Sequence, residues 1–168
     1  MMPASCTART RPAASAVKAQ HAFTLLELIV VLVIISAFAG LALPAYGSAV
    51  ARYRLDSAAY ELSGELDRAA AHARMVGAMV TIRFNVAGDT VEFDDVPHRT
   101  TNATSYSIDL RESPRDAGIV SADFNTAEEY TVSGFGVPSS GGVVMLQNTA
   151  AARQLTIDAA TGRSRVSR

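Results

Sequence analysis

The strongest feature of the hydrophobic pattern is one apolar run near the N-terminus. No residue from Leu28 to Ala51 carries a formal charge, and the densest part covers residues 28–43. A helix rises about 1.5 Å per residue, so roughly 20 residues cross a hydrocarbon core of about 30 Å. The run therefore predicts a helix that is able to span a membrane. A buried core helix is the weaker reading, because a domain of this size cannot cover such a helix on every face.

The start of the run argues against an ordinary secretory signal peptide. The apolar region of such a peptide has about 7 to 15 residues, and this run is longer and begins beside an acid, Glu27. A carboxylate costs about 2.5 to 3.5 kcal/mol at the centre of a membrane helix, so an acid at that site indicates a function with a partner. The free amine of a new N-terminus a few residues upstream would be a suitable partner for Glu27.

Beyond Pro44 the helical pattern becomes amphipathic. Apolar residues recur at intervals of three and four and form one stripe, while charged residues occupy the other faces. The stripe predicts a face that packs on a sheet and not a coiled-coil seam, because alanine dominates it and the run is short. The helix is predicted to run from Phe23 to about Gly77, a residue typical of helix C-termini. The members of the stripe are Leu55, Ala59, Leu62, Leu66, Ala69, Ala73 and Val76.

The rest of the chain has the pattern of β-strands. Residues 79–86 and 90–93 flank a turn at Ala87-Gly88-Asp89 and predict a hairpin. Loops are predicted at residues 94–103 and 134–142, which contain proline. A long helix followed by an antiparallel sheet is an α+β arrangement. The other predicted strands are residues 105–110, 119–122, 130–133, 142–147 and 153–158.

Composition and charge refine this picture. A length of 168 residues suits one domain, and 18% charged with 49% hydrophobic residues excludes a disordered chain. Residues 1–22 contain three basic residues and no acid, so without them the net charge falls from −1 to −4. Positive charge before the apolar run favours a cytoplasmic N-terminus. The one cysteine, Cys6, lies in this segment, so the rest of the chain has no disulfide and no cysteine metal site.

Residues 21–32, His-Ala-Phe-Thr-Leu-Leu-Glu-Leu-Ile-Val-Val-Leu, resemble the signature of type IV prepilins. The resemblance implies that a membrane prepilin peptidase cuts between Ala22 and Phe23 and methylates the new amine of Phe23. It also implies that Glu27 is the acid used in assembly and that Pro44 is the family's helix-kinking proline, although a plain proline kink would explain Pro44 equally. Family members usually have glycine before the cut, so Ala22 is a departure that bears on the efficiency of cleavage.

The resemblance also implies an organisation and a function. It divides the chain into a leader (1–22), a transmembrane and filament-core helix (23–46) and a periplasmic α+β head (47–168) with the pilin fold. The strands and the end of the chain resemble H-type minor pseudopilins and related minor pilins. We expect a single-pass inner-membrane protein that joins the filament of a type II secretion pseudopilus or a type IV pilus. Its expected partners are prepilin peptidase and other pilins, with no enzymatic activity and no cofactor.

The head contains no predicted catalytic constellation. His72 lies on a charged helical segment and His98 in a loop, and neither has the spacing of a metal ligand. Four acidic residues near the hairpin have two alternative interpretations. They form either an oxygen-rich calcium loop or a solvated edge that discourages strand pairing. The four residues are Asp89, Glu92, Asp94 and Asp95.

The C-terminus is basic on an otherwise acidic chain, with a charge of +3 over residues 153–168. Its segment Gly162-Arg163-Ser164-Arg165 resembles a Gly-Arg-x-Arg motif of DNA-binding minor pilins that act in natural transformation. The alternative function is therefore a DNA-binding minor pilin acting in DNA uptake, in which Arg163 and Arg165 contact phosphates without reading sequence. An ordinary solvated strand after a Thr-Gly turn explains the same residues. The four arginines are Arg153, Arg163, Arg165 and Arg168, against the single acid Asp158.

Overall fold

The computed structural model describes residues 24–101, 103–125 and 127–167, with the side chains of residues 40–44 excepted. The chain divides into two units, residues 1–40 and residues 41–168. One long helix is followed by strands that form two sheets. In chain order the elements are α1 (Leu25–Val76), β1 (Val80–Asn85), β2 (Thr90–Asp94), β3 (Tyr106–Asp109), β4 (Gly118–Asp123), β5 (Glu129–Val132), β6 (Gly142–Gln147), β7 (Ala152–Ile157) and β8 (Ser164–Ser167).

The described part of the first unit is the beginning of α1. Thr24 caps the helix, because its Oγ1 accepts a hydrogen bond from the Glu27 amide at 3.2 Å. The large apolar side chains from Leu25 to Phe38 are between 43% and 76% exposed. Within the described ranges of the chain, no helix is both long enough and apolar enough to cross a membrane.

Several sequence predictions fall outside the described residues. The leader (1–22), the cleavage site between Ala22 and Phe23, and Arg168 all lie there. The predicted span over residues 23–46 includes Phe23 and the side chains of residues 40–44, so it remains a prediction. α1 continues through Pro44, but the side chain of Pro44 is not described and its predicted kink is untested.

The second unit contains the rest of α1 and two four-stranded antiparallel sheets. Their strand orders are β3-β2-β1-β5 and β4-β6-β7-β8. The predicted α+β class, with a long N-terminal helix packed on antiparallel strands, is confirmed. The single predicted sheet is refined to two, because β4 pairs with β6 and not with the strands of the hairpin. That hairpin forms as predicted, with Asn85 opposite Thr90.

The sequence predicted the last strand only as the alternative interpretation of the basic C-terminus. After β7 the chain reverses at Asp158, whose amide donates to the Arg163 carbonyl at 3.0 Å, and Gly162 there has a φ of +67°. Glycine adopts this left-handed conformation without steric cost. The chain then forms β8, which pairs with β7. The hydrophobic pattern alone does not predict β8, because its four residues, Ser-Arg-Val-Ser, carry almost none of the β-branched or aromatic pattern that marks a strand.

The core lies between α1 and the two sheets. The predicted stripe is buried from Leu55 to Ala73, and Ala59, Ala69 and Ala73 have no exposed surface. Val76, the last predicted member, is exposed instead, because α1 ends there. The predicted stop at Gly77 is confirmed: its φ is +70°, and its amide donates to the Ala73 carbonyl at 2.9 Å.

Candidate functional site

Glu27 lies in the first turn of α1, and its side chain is exposed. The spacing Thr24-x-x-Glu27 is that of a capping box, but only the half in which Thr24 accepts from the Glu27 amide forms. Among the described residues, no hydrogen bond or ion pair engages the Glu27 carboxylate. Its predicted partner, the amine of Phe23, lies outside the described residues.

The basic C-terminus has fewer unpaired positive charges than its sequence indicates. Arg153 is largely buried and forms an ion pair with Asp56 of α1, with its Nη2 donating to Asp56 Oδ2 at 3.2 Å. It thus ties β7 to the helix and is not a free cation. Because this charge is paired, Arg153 does not add an unpaired positive charge to the basic C-terminus.

Arg163 and Arg165 are both exposed, while the intervening Ser164 is half-buried. Within the described part of the chain, neither guanidinium forms an ion pair closer than 4.0 Å with a carboxylate. Asp158 nevertheless lies near Arg165. The amide and hydroxyl of Thr161 and the amide of Ala160 hydrogen-bond to Asp158, and together with the charge of Arg165 they lower the pKa of that carboxyl. The two arginines line one surface groove, which Asp158 also lines.

A surface groove beside the C-terminus is lined by a further arginine. Arg74, in the last turn of α1, and Arg163 line the same groove, which also contains Asp67. Ser164 fixes the wall of the groove: its hydroxyl lies 2.7 Å from the Ser63 hydroxyl and 3.1 Å from Asp67 Oδ1. Sequence reasoning missed Arg74, because nothing in the spacing relates the end of the helix to the end of the chain.

The hairpin acids do not converge on one point. Asp89 is buried: it accepts from the Ile119 amide at 2.6 Å and from Arg111, and so joins the hairpin to β4 of the other sheet. Asp94 pairs with Arg83 instead. Within residues 24–101, 103–125 and 127–167, no three His, Cys, Asp or Glu side chains are positioned to hold a metal ion. For Asp89 and Asp94 the structure therefore favours ion pairing over a calcium loop.

The two histidines of the head have separate surroundings. His98 accepts from the Thr101 hydroxyl at 3.0 Å if its Nδ1 is unprotonated, and its ring meets Tyr106 edge-on. His72 is half-buried on α1, beside the apolar side chains of Val76 and Met79.

A buried carboxylate, Glu65, organises a polar cluster in the head. It accepts hydrogen bonds from the Tyr106 hydroxyl at 2.7 Å and from Arg68 Nε at 2.7 Å, and it pairs with Arg99 at 2.9 Å. Burial alone would raise the pKa of Glu65, but the hydrogen bonds from Tyr106 and Arg68 and the two positive charges outweigh it and lower that pKa. Burial and Glu65 together raise the pKa of Tyr106. The cluster fastens β3 and the preceding loop to α1.

Three tyrosines of α1 form a surface that the sequence interpretation missed. Tyr46, Tyr53 and Tyr60 are 72%, 74% and 65% exposed. They are seven residues apart, so they lie along one line of the helix. We call them, with the residues four positions after each, Val50, Ser57 and Gly64, the outward strip. The seven-residue spacing of these tyrosines is visible in the sequence. Spacing alone does not indicate whether their side of the helix is buried or exposed.

Comparison with known proteins gives one match to a family and two to solved structures. Residues 17–43 match the family described as the prokaryotic N-terminal methylation motif. Two crystal forms of the type IV minor pilin FimU of Pseudomonas aeruginosa resemble the chain with TM-scores of 0.49 each, at 19% and 18% identity. These matches cover 70% and 68% of this chain and 90% and 93% of the FimU chains. No curated protein matches the sequence.

The family match covers the residues that carry the prepilin signature. It includes the dipeptide Ala22-Phe23, the acid Glu27 and most of the apolar run. The match ends before the amphipathic part of α1. The chain therefore carries the N-terminal methylation motif of type IV pilins, as residues 21–32 predict.

Proposed function

We propose that this protein is a minor pilin or pseudopilin, a structural subunit of a type II secretion pseudopilus or a type IV pilus. The observation that carries the proposal is the methylation motif at residues 17–43, which overlaps the beginning of a helix of 52 residues. The early part of that helix exposes its apolar side chains, while the later part buries an apolar stripe under two sheets. Such a helix offers one segment for contacts outside the subunit and another that holds the head.

The proposed steps from precursor to filament follow from this division of α1 into two parts. Residues 23–46 anchor the precursor in the inner membrane, with residues 1–22 in the cytoplasm and the head, residues 47–168, in the periplasm. Prepilin peptidase removes the leader and methylates Phe23. The subunit then leaves the lipid and joins other pilins through α1. The proposal is of a structural protein that assists assembly and protein secretion and needs no cofactor.

The first prediction concerns processing. We expect the membrane-extracted protein to begin at Phe23 and to carry a methylated amine, because a small residue precedes Phe-Thr-Leu-Leu-Glu. Peptide mass spectrometry of the N-terminus measures both features in one experiment.

Two variants control this test. Ala22→Gly restores the residue usual in the family and is expected to be processed at least as completely, whereas Ala22→Arg introduces a bulky charge and should block the cut. An intact leader on the wild-type chain, in cells with an active prepilin peptidase, would contradict the proposal.

A second candidate function, DNA binding during uptake, is supported by one specific observation. Arg163 and Arg165 are exposed and lie on one side of the chain, and Arg74 lines the same groove as Arg163. Exposed arginines that line adjoining grooves are able to contact a phosphate backbone. Asp67 and Asp158 lie beside them, and the net negative charge of the processed chain repels a polyanion, so binding would be weak.

For this candidate we predict non-specific binding of duplex DNA with a Kd of about 10⁻⁴ to 10⁻⁶ M that weakens steeply as salt rises. The measurement is a titration of the processed, detergent-solubilised chain at low and moderate salt. The double variant Arg163→Ala, Arg165→Ala should lose binding. The matched control Arg52→Ala, Arg54→Ala removes the same charge from exposed sites on α1 and should bind as the wild type does. If the wild type shows no salt-sensitive binding at low ionic strength, the DNA function is excluded and the structural role stands.

A further inference from the structure

A polar groove of about 520 Å³ lies between α1 and β3, and the proposed function makes no use of it. Tyr60, Gly64 and Arg68 line it from the helix, and Tyr106 lines it from the strand. Gly64 leaves the helix side open, because a Cβ added there would meet no atom within 4 Å. Binding sites for small molecules measure about 300 to 1,000 Å³, so the groove is large enough to hold a ligand.

The arginines that line the groove already have acidic partners within the head. Arg115 donates from Nε and Nη2 to the two carboxylate oxygens of Glu61, at 3.0 and 2.8 Å. Glu65 pairs with both Arg68 and Arg99. A phosphate or carboxylate ligand would therefore have to compete with these acids, and the groove disfavours anions. Among the described residues, the charged lining consists of three arginines and four acids: Arg68, Arg99, Arg115, Glu61, Glu65, Asp109 and Glu112.

Such paired charges suit a neutral ligand that both donates and accepts hydrogen bonds. Each arginine–carboxylate pair places N–H donors beside carboxylate oxygens, and Thr100 and Ser107 add hydroxyl groups to the lining. A ligand hydroxyl donates one hydrogen bond and accepts others. A ligand with several hydroxyls is therefore able to bind both members of a pair without separating them.

Tyr60, a member of the outward strip, supplies an apolar surface beside these polar groups, because it is 65% exposed. The ring of Tyr106 is already covered: it stacks on Phe93 with centroids 4.8 Å apart, and Arg68 lies 5.1 Å from its centroid. The face of an aromatic ring is electron-rich and attracts positively polarised hydrogens. A sugar ring presents such C–H bonds on its face and hydroxyls around its edge, so it matches both parts of the groove.

We propose that this groove binds a neutral saccharide chain. Tyr60 stacks on the C–H face of one sugar ring, while the Glu61–Arg115 pair and the Glu65 cluster hydrogen-bond to hydroxyls. The open position at Gly64 lets the chain lie close to the helix backbone. This binding function goes beyond the structural role proposed above and does not depend on entry into a filament.

Ligand-observed NMR tests the proposal on the full-length chain, solubilised in a detergent without a sugar headgroup. The probes are three tetrasaccharides. The β-1,4-linked tetramers of glucose and of N-acetylglucosamine are neutral, and they distinguish an unsubstituted glucan from an N-acetylated glycan. Tetragalacturonate carries carboxylates. We expect saturable binding of at least one neutral tetramer with a Kd of about 0.1 to 10 mM, and weaker binding of tetragalacturonate. Failure of both neutral tetramers to bind, or tighter binding of tetragalacturonate, overturns the proposal.

Three substitutions locate the site. Tyr60→Ala removes the exposed ring and should weaken binding about fivefold to tenfold. The matched control is Tyr53→Ala, which should bind as the wild type does, because Tyr53 is 74% exposed on the same helix but does not line the groove. Gly64→Met fills the open position and should also weaken binding, while melting at the wild-type temperature or above it, because methionine favours helix more than glycine does. Wild-type affinity in Tyr60→Ala or in Gly64→Met, or an equal loss in Tyr53→Ala, overturns the proposal.

Discussion

Glu27→Ala is expected to leave insertion and cleavage intact and to abolish entry into filaments. Glu27 begins an apolar helix segment, and no hydrogen bond or ion pair within the described residues engages its carboxylate. We predict that it meets the amine of Phe23 in a neighbouring subunit, where apolar side chains exclude water. Removing one partner of a buried ion pair costs about 3 to 5 kcal/mol, which corresponds to at least a hundredfold loss of assembly.

The measurement compares the variant in two fractions of the same cells. Membranes should contain the processed variant at the wild-type level, and isolated filaments should lack it. Glu27→Asp retains the negative charge and should recover part of the incorporation, whereas Glu27→Gln retains the shape without the charge and should fail as alanine does. Normal incorporation of Glu27→Ala would remove the acid from the assembly mechanism.

Features with a local cause could be predicted from the sequence. The buried stripe from Leu55 to Ala73 follows from spacing alone, and the end of α1 follows from Gly77, which adopts the left-handed conformation that ends helices. The hairpin around Gly88 could likewise be predicted, because turn residues separate two segments of alternating apolar and polar residues. In each case the residues that determine the structure are neighbours in the chain.

Features that depend on distant partners could not be predicted. Arg153 counts as a free cation in the sequence, but Asp56 neutralises it from another element. Asp89 belongs to a row of acids in the sequence, yet it is buried and binds the Ile119 amide of the other sheet. No periodicity encodes such pairings, since they depend on how the sheets and the helix meet. The outward strip is different. Its seven-residue spacing is visible in the sequence, but only the structure shows that Tyr46, Tyr53 and Tyr60 are exposed.

Glu65→Ala is expected to destabilise the head by about 3 kcal/mol, because it leaves Arg68 and the Tyr106 hydroxyl without their common acceptor. The side chain of Glu65 is only 10% exposed and that of Arg68 23%, so water replaces the lost bonds poorly. Arg99, the third partner, is 66% exposed. The matched control Arg99→Ala removes an exposed ion pair and should therefore cost less than about 1 kcal/mol. Urea unfolding of the solubilised processed chain, followed by circular dichroism, measures both changes.

The same carboxylate gives the stability of the head a dependence on pH. The pKa of Glu65 in the folded head is lowered from its ordinary value of 4.5, so its ionised form stabilises folding. This contribution is complete above pH 4.5 and is lost as the pH falls through the folded pKa below that value. Glu65→Gln has no such group, so its loss of stability below pH 4.5 should be smaller than that of the wild type, and the gap between the two proteins should narrow in acid. Parallel stability curves for the two proteins from about pH 3 to pH 6 would show that Glu65 is not the group responsible.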